Sequence, residues 1–341
     1  MSKLRANFHT HTTFCDGSAS AEQVVEAALG KGFEQLGFSG HMDPEIHMDW
    51  PAYTAEVRRL QRKYAGRIDI LMGVELDNLY DPACCPGAEY VIGSTHFLDV
   101  QTPFPMSVDS SEEQLRELCE GCFDGDWLAL CRAYYELEAQ VHDRTNCDFV
   151  GHFDLVTRFN DSMRYVDETS PAYLGPALEA MECLVGQGVP FEINCGAVNR
   201  GRKAELYPRH ELLRALHDFG GEILISADAH QPELLDGGFD VAVASAIDCG
   251  FTHVNVLAHD AMVGVEWRQL ALDTLAGEGG DGDGRQRRTA PPARVLWALL
   301  AGAAAAPARG WLRAHDLLVQ PQHPAGGGAR PQAEDASRLG A

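Results

Sequence analysis

Nowhere in the 341 residues do eighteen or more apolar side chains run together, so the sequence offers no bilayer-spanning helix. The opening stretch 1–7 has no apolar signal-peptide core, which predicts a cytoplasmic protein. Basic residues are scarce: 27 Lys and Arg stand against 50 Asp and Glu, a net charge of −23. A nucleic-acid-binding surface normally carries a basic patch, and this deficit argues against one. It does not exclude an anionic small molecule, because bound cations can reverse the potential inside a cleft. The ten cysteines also lack the spacing of a metal site. Cys119-x-x-Cys122 has no second pair, and Cys147, Cys183 and Cys195 lie in apolar segments that suit buried, reduced thiols. No internal repeat is visible.

What is present is an alternation. Short runs rich in Ile, Val, Leu and Phe near 5–8, 35–39, 68–74, 89–93, 147–151, 189–193 and 222–226 predict strands. Amphipathic stretches at 21–31, 53–64, 111–118, 128–142, 173–186 and 210–219 predict helices between them, the first capped by Ser20 and ended by Gly32. Strand–helix alternation argues for an α/β fold with a parallel sheet, and seven units argue for a closed or nearly closed barrel. A last short strand is expected at 252–257. The composition then changes: 277–284 holds only Gly, Asp and Glu, and Ala, Pro, Gly and Arg dominate the rest of the chain. The apolar run 295–306 is too short to span a bilayer. We therefore expect a barrel over 1–270 and a low-complexity, disordered tail over 271–341.

Each predicted strand ends in a side chain that can bind metal. The first runs into His9, His11 and Asp16, the second into His41, the third ends at Glu75 and the fourth runs into His96. The fifth leads to His152 and Asp154, the sixth ends at Glu192, and the seventh leads to Asp228 and His230. In a parallel barrel these positions converge on one rim, where active sites lie. Residues i and i+2 on a strand point the same way, so His9 with His11, and Asp228 with His230, can each grip an ion. Imidazole and carboxylate suit zinc, iron or manganese. One histidine alone is more often a packed or capping residue, but six at consecutive strand ends exceed what one tetrahedral ion uses. The count points to two or three divalent ions (Zn, Mn or Fe) with one carboxylate bridging. Such ions activate a bridging water as nucleophile. Arg158 and Arg200 sit in the strand-end loops.

The series His9-Thr-His11, Asp16-Gly17, Ser39-Gly-His41, Gly73-Val-Glu75, Gly93-Ser-Thr-His96, Gly151-His-Phe-Asp154 and Ser226-Ala-Asp-Ala-His230 resembles the polymerase-and-histidinol-phosphatase (PHP) superfamily over residues 1 to about 260. The wording around 7–17, 151–155 and 191–197 is similar to its histidinol-phosphate phosphatase branch. The resemblance implies a distorted (βα)7 barrel with a trinuclear metal site. His9, His11, Glu75 and Asp228 would hold one ion, with Glu75 bridging to a second held by His96 and His152. Asp16, His41 and His230 would hold the third; the family often has histidine where this chain has Asp16. Glu75, Asp228 and His230 would serve the chemistry, and Arg158 and Arg200 the phosphate. The implied reaction is hydrolysis of L-histidinol phosphate to L-histidinol and phosphate, in histidine biosynthesis.

For the amine and imidazole ends of that substrate, Asp43, Glu45, Asp49 and Trp50 are candidates, though each can equally be a solvated loop residue. His47 is ambiguous, and His142, His210, His217, His253, His259, His315 and His323 read as structural. Two other functions compete: a hydrolase of nucleotides or phosphodiesters from the same superfamily, and a non-catalytic metal-binding module. The acidic balance counts against long nucleic acids, and the full ligand set against the module. The sequence is compatible with a monomer or a homo-oligomer.

Overall fold

The computed structural model describes residues 4–100 and 102–276. Seven strands form one parallel sheet in sequence order: β1 (Ala6–Asn7), β2 (Gln35–Phe38), β3 (Asp69–Asp77), β4 (Tyr90–Ser94), β5 (Phe149–Val150), β6 (Phe191–Asn194) and β7 (Ile223–Ser226). The seam between the last and first strands is closed just beyond their ends. There Ala229 N donates to His9 O (3.1 Å) and His11 N donates to Ala229 O (2.9 Å). The nearly closed seven-stranded barrel expected from the alternation is therefore what forms. Several predicted strands are shorter than their apolar runs. The runs extend into the buried interior beyond the few residues that pair in the sheet.

Among the connecting helices, α1 (Ala21–Gly30) starts at Ser20, whose hydroxyl accepts from Gln23 N while Gln23 Oε1 accepts from Ser20 N. This reciprocal pairing satisfies two otherwise orphaned donors. Gly32, at φ +77°, turns the chain back toward β2. Asp49 caps α2 (Trp50–Lys63). The predicted helix 128–142 is interrupted: α4 (Trp127–Glu138), which follows α3 (Glu112–Cys122), stops before a short turn at Val141–Thr145. Next come α5 (Pro171–Gly186), α6 (His210–Asp218) and α7 (Phe239–Cys249). The sequence reading missed α7, which is rich in Ala and Val and bounded by Gly238 and Gly250, both at positive φ.

Tyr90 fills the barrel's centre. Its ring is fully buried, and its hydroxyl lies 2.7 Å from Phe8 O and 2.9 Å from Phe38 O, tying three neighbouring strand regions together. Gly37 and Gly73 make that possible. A Cβ at 73 would lie 2.2 Å from the Tyr90 ring, and one at 37 would lie 2.3 Å from its hydroxyl.

The run at 252–257 does not finish the fold. It begins β8 (His253–Asp260), which turns through Gly264 and pairs antiparallel with β9 (Gly264–Ala271). Trp267 of this hairpin meets the Phe149 ring at 6.3 Å, and His259 reaches Asp69 at the start of β3. The hairpin thus lies at the N-terminal ends of the strands, away from the rim that carries the candidate ligands. A short helix, α8 (Leu272–Leu275), comes next, with both leucines buried. All ten cysteines are free; Cys147 and Cys195 are buried, whereas Cys183 is exposed. Among the described residues no helix is long and apolar enough to cross a membrane. The expected tail disorder, the run 295–306, His315 and His323 lie outside the described residues.

Two truncations separate the end of the barrel from the tail. A chain ending at 276 keeps α8 and is expected to melt as the full chain does. One ending at 271 also loses Leu272 and Leu275, each worth about 2–5 kcal/mol if the Leu→Ala scale applies, and should melt at least about 5 °C lower. Equal melting temperatures for the two would show that α8 contributes nothing.

Candidate metal centre and its pocket

The barrel register brings the strand-end side chains together. β3 is the longest barrel strand, and its last residues rise above the others. There His41 pairs in register with Glu75 along a short parallel bridge. Glu75, 1% exposed, becomes the hub. Its Oε1 lies 2.8 Å from His152 Nε2, 3.2 Å from His96 Nε2 and 2.9 Å from Ser94 Oγ. Its Oε2 lies 3.0 Å from His9 Nε2, 3.2 Å from His41 Nδ1 and 3.5 Å from His11 Nε2. Asp228 Oδ1 is 3.4 Å from His11 Nε2, and Asp16 stands 2.9 Å from His230 Nε2 and 3.7 Å from His41 Nε2. All nine residues singled out from the sequence as metal ligands therefore meet at one rim.

Their donor atoms fall into groups tight enough to share a cation: His9, His11 and Asp228; His9, Glu75 and His152; and His11, Asp16, His41 and His230. His96, expected beside His152, also groups with His41 and Asp43. Several inward-facing atoms are buried with no hydrogen-bond partner, among them His9 Nε2, His11 Nε2, His41 Nδ1 and Glu75 Oε2. Buried polar atoms are normally satisfied, so orphans converging from separate strands fit a divalent cation. The charges agree. Burial pulls His11 down to about 3, helped by His230 and His41. Burial also opposes a charge on His9 and His96, yet their carboxylate neighbours, Glu192 and Glu75 foremost, raise both well above the usual value. Burial likewise works against ionised Glu75, but His9, His41 and His96 hold it well below the usual carboxylate range. The cluster requires positive charge beside Glu75, and protons and metal ions compete for the same nitrogens.

Two carboxylates support the ring from behind: Glu192, which the sequence offered as a metal-capable strand end, and Asp77, which it did not single out. Glu192, fully buried, accepts from His9 Nδ1 at 2.7 Å, leaving Nε2 to face the centre. It also accepts from His152 N (2.8 Å), Asn194 Nδ2 (2.9 Å) and Ser226 Oγ. Asp77 accepts from His96 N at 2.8 Å. Asp228 itself sits at φ +47°, a conformation uncommon outside glycine and a mark of functional sites.

A cavity of about 430 Å³ opens over the cluster. Its lining includes Arg158, Arg200 and Arg202, together with Asp43, Glu45, Asp109 and Ser110. Arg200 binds Asp228 Oδ2 (3.0 Å) and Asp228 O (2.8 Å), and its Nη1 is 3.1 Å from His230 Nδ1, so it touches the cluster directly. Arg158 is paired with Asp109 at 2.7 Å. Arg202 is a new member, reached from the loop that carries Arg200; burial and the charges of Arg158 and Arg200 pull its pKa down. Of the candidates for the substrate's amine and imidazole, Asp43 and Glu45 line this cavity. Asp49 instead caps α2, and Trp50 is buried with its indole N–H on Pro86 O. His47 is exposed beside Tyr80.

Residues 7–195 match the PHP domain family model. The chain is 30% identical over 262 residues to a probable histidinol-phosphatase of Deinococcus radiodurans, covering 71% of this chain and 92% of that protein. It is 24% identical to the histidinol-phosphatase of Bacillus subtilis, over 65% of this chain and 92% of that one. Among solved structures it resembles the histidinol phosphate phosphatase of Lactococcus lactis in complex with zinc, L-histidinol and phosphate. That likeness has a TM-score of 0.58 and 20% identity, covers 74% of this chain and 97% of the other, and shows a shared fold.

Glu192→Gln keeps the shape but offers His9 an amide in place of a carboxylate. Metal affinity should fall about 10–100-fold, measured by chelator competition, and the metal-free protein should melt lower as well, because the amide NH2 meets buried donors that the carboxylate accepts from. Unchanged affinity would show that Glu192 does not orient His9.

Proposed function

The chain belongs to the PHP domain family, and we propose that it is a histidinol-phosphatase that hydrolyses L-histidinol phosphate to L-histidinol and phosphate. The observation that carries this reading is a single cavity in which three guanidiniums face a metal-competent His/Asp/Glu floor. That pairing suits a phosphate monoester, whose dianion needs bidentate cationic partners and whose P–O bond needs charge neutralisation as it breaks. The names of the relatives supply the rest of the substrate.

His9, His11, Glu75 and Asp228 would hold one ion, Glu75 with His96 and His152 a second, and Asp16, His41 and His230 a third. Zinc, manganese or iron suits this donor set, and such ions acidify coordinated water and neutralise phosphoryl oxygens. The protein's own groups do the positioning. Arg158 and Arg202 hold the phosphoryl oxygens at the cavity wall, while Arg200 spans the phosphate and Asp228. Asp228 Oδ1, beside His11 Nε2 and His230 Nδ1, accepts the proton of the attacking water. Asp228 would return that proton to the leaving alkoxide, and His230, with Nδ1 3.1 Å from the Arg200 guanidinium and Nε2 beside Asp16, would hold its ion next to Asp228. No serine or cysteine nucleophile is required.

The test is to count bound metals and to measure phosphate release from L-histidinol phosphate, nucleotides and an aryl phosphate. Faster turnover of nucleotides would replace this reading with that of a nucleotide hydrolase. Glu75→Gln should lower turnover by about three orders of magnitude or more and remove at least one ion; full activity at unchanged stoichiometry would sink the cluster. The arginines should separate. Arg158→Ala is expected to lower kcat/KM at unchanged metal content, since Arg158 touches no member of the cluster. Arg200→Ala is expected to lower both, because it also releases Asp228 and His230. Metal loss in the Arg158 variant would reverse that assignment.

A further inference from the structure

Building on that reading, we propose that Asp109 determines specificity: it caps Arg158 in the free protein and passes to the substrate's ammonium group when phosphate takes the guanidinium. Arg158 and Asp109 both line the cavity and are in direct contact there, 2.7 Å apart, with side chains only 20% and 16% exposed. A phosphate seated on the arginines competes with Asp109 for the same fork. Arg158 Nε is buried without a partner, and one guanidinium nitrogen is already occupied by the carboxylate. A second anion near this pair therefore draws Arg158 away from Asp109.

What happens to Asp109 decides which phosphates bind well. Ser107 Oγ, 3.1 Å from Asp109 Oδ1, anchors it at the turn that leads into α3, and Ser107 Oγ also accepts from Asp109 N and Ser110 N. This turn keeps the carboxylate at the cavity wall. An amine-free phosphate ester takes the guanidinium and leaves Asp109 as a half-buried anion facing the phosphate, without a cationic partner. A phosphate ester with an ammonium group replaces what Asp109 lost. The discrimination is thus built from a penalty on the wrong substrate as well as an attraction for the right one. Asp43 and Glu45 are less suited to the exchange. Asp43 Oδ1 is held by the backbone N–H groups of Glu45 and Ile46, and Glu45 Oε2 is hydrogen-bonded to Ser110 Oγ.

The experiment compares L-histidinol phosphate with 3-(imidazol-4-yl)propyl phosphate, the same molecule without its amine, in the wild type and in Asp109→Asn, both metal-loaded. The wild type should favour the aminated ester, and Asp109→Asn should cut the ratio of the two kcat/KM values about 10- to 100-fold. Inhibition by L-histidinol should weaken in the variant while inhibition by inorganic phosphate holds or tightens, because Arg158 has been released. If Asp109 merely orients Arg158, the variant will lose both substrates equally and bind phosphate more weakly, and the proposal falls. A wild type that fails on L-histidinol phosphate but releases phosphate from other esters would overturn the proposed function. In that event 2-aminoethyl phosphate against ethyl phosphate, each as an inhibitor of aryl phosphate hydrolysis, decides Asp109: an Asn variant that loses the preference supports the exchange, and one that keeps it or never had it refutes it.

Discussion

A carboxylate withdrawn from water, with imidazoles facing both of its oxygens, is the constraint around which this barrel is arranged. Glu75 cannot remain ionised at 1% exposure without cations close by, and the chain supplies their ligands from several strand ends. The length of β3 follows from this requirement. Its upper residues must reach past the ends of the other strands so that His41 can pair beside Glu75 and Ser94 Oγ can donate to it. Below, the hydroxyl of Tyr90 meets the carbonyls of Phe8 and Phe38 just before the chain turns up toward His9 and His41. The packing that fills the barrel thereby also sets the height of the ligands.

The same economy appears at the seam. The backbone bonds that join the end of β1 to the end of β7 alternate with His9, His11, Asp228 and His230. Closing the barrel and assembling part of the cluster are one event. Ions bound there would stabilise the folded chain by mass action, since the unfolded chain has no comparable site.

This arrangement explains what was legible in the sequence. Ligands that recur at successive strand ends, twice at a spacing of two, announce themselves because strand periodicity fixes their direction before any tertiary contact is known. Glu192 was legible as one more metal-capable strand end, but its support of His9, 183 positions distant, was not. Arg202 hid beside Arg200, because a loop has no period from which to infer direction. Asp49 and Trp50 suited the chemistry but were claimed by a helix cap and by the core. The final hairpin did leave a trace in Asp260, whose carboxylate accepts from Met262 N and Val263 N, and in Gly264 at φ +88°. The charged residues at its tip broke the apolar run that the strand reading followed. The helix α7 lacked a side-chain cap to mark its start.

The net charge of −23, which argues against a polyanionic partner on the outer surface, takes on another meaning in the cavity. Acidic residues outnumber basic ones 50 to 27, so three arginines lining one cavity form a local reversal of the chain's overall sign. Arg158 and Arg200 are about four-fifths buried, and Arg202, though exposed, lies close enough to both for their charges to oppose its own. Like charges held together in partial burial store a repulsion that only an anion relieves. Carboxylates now provide part of that relief, Asp109 to Arg158 and Asp228 to Arg200. An incoming phosphate must displace one carboxylate without dislodging the other, because Asp228 is tied through His11 and His230 to the cluster while Asp109 is held by a serine turn at the pocket's edge. The asymmetry between these two carboxylates separates binding the substrate from holding the metal.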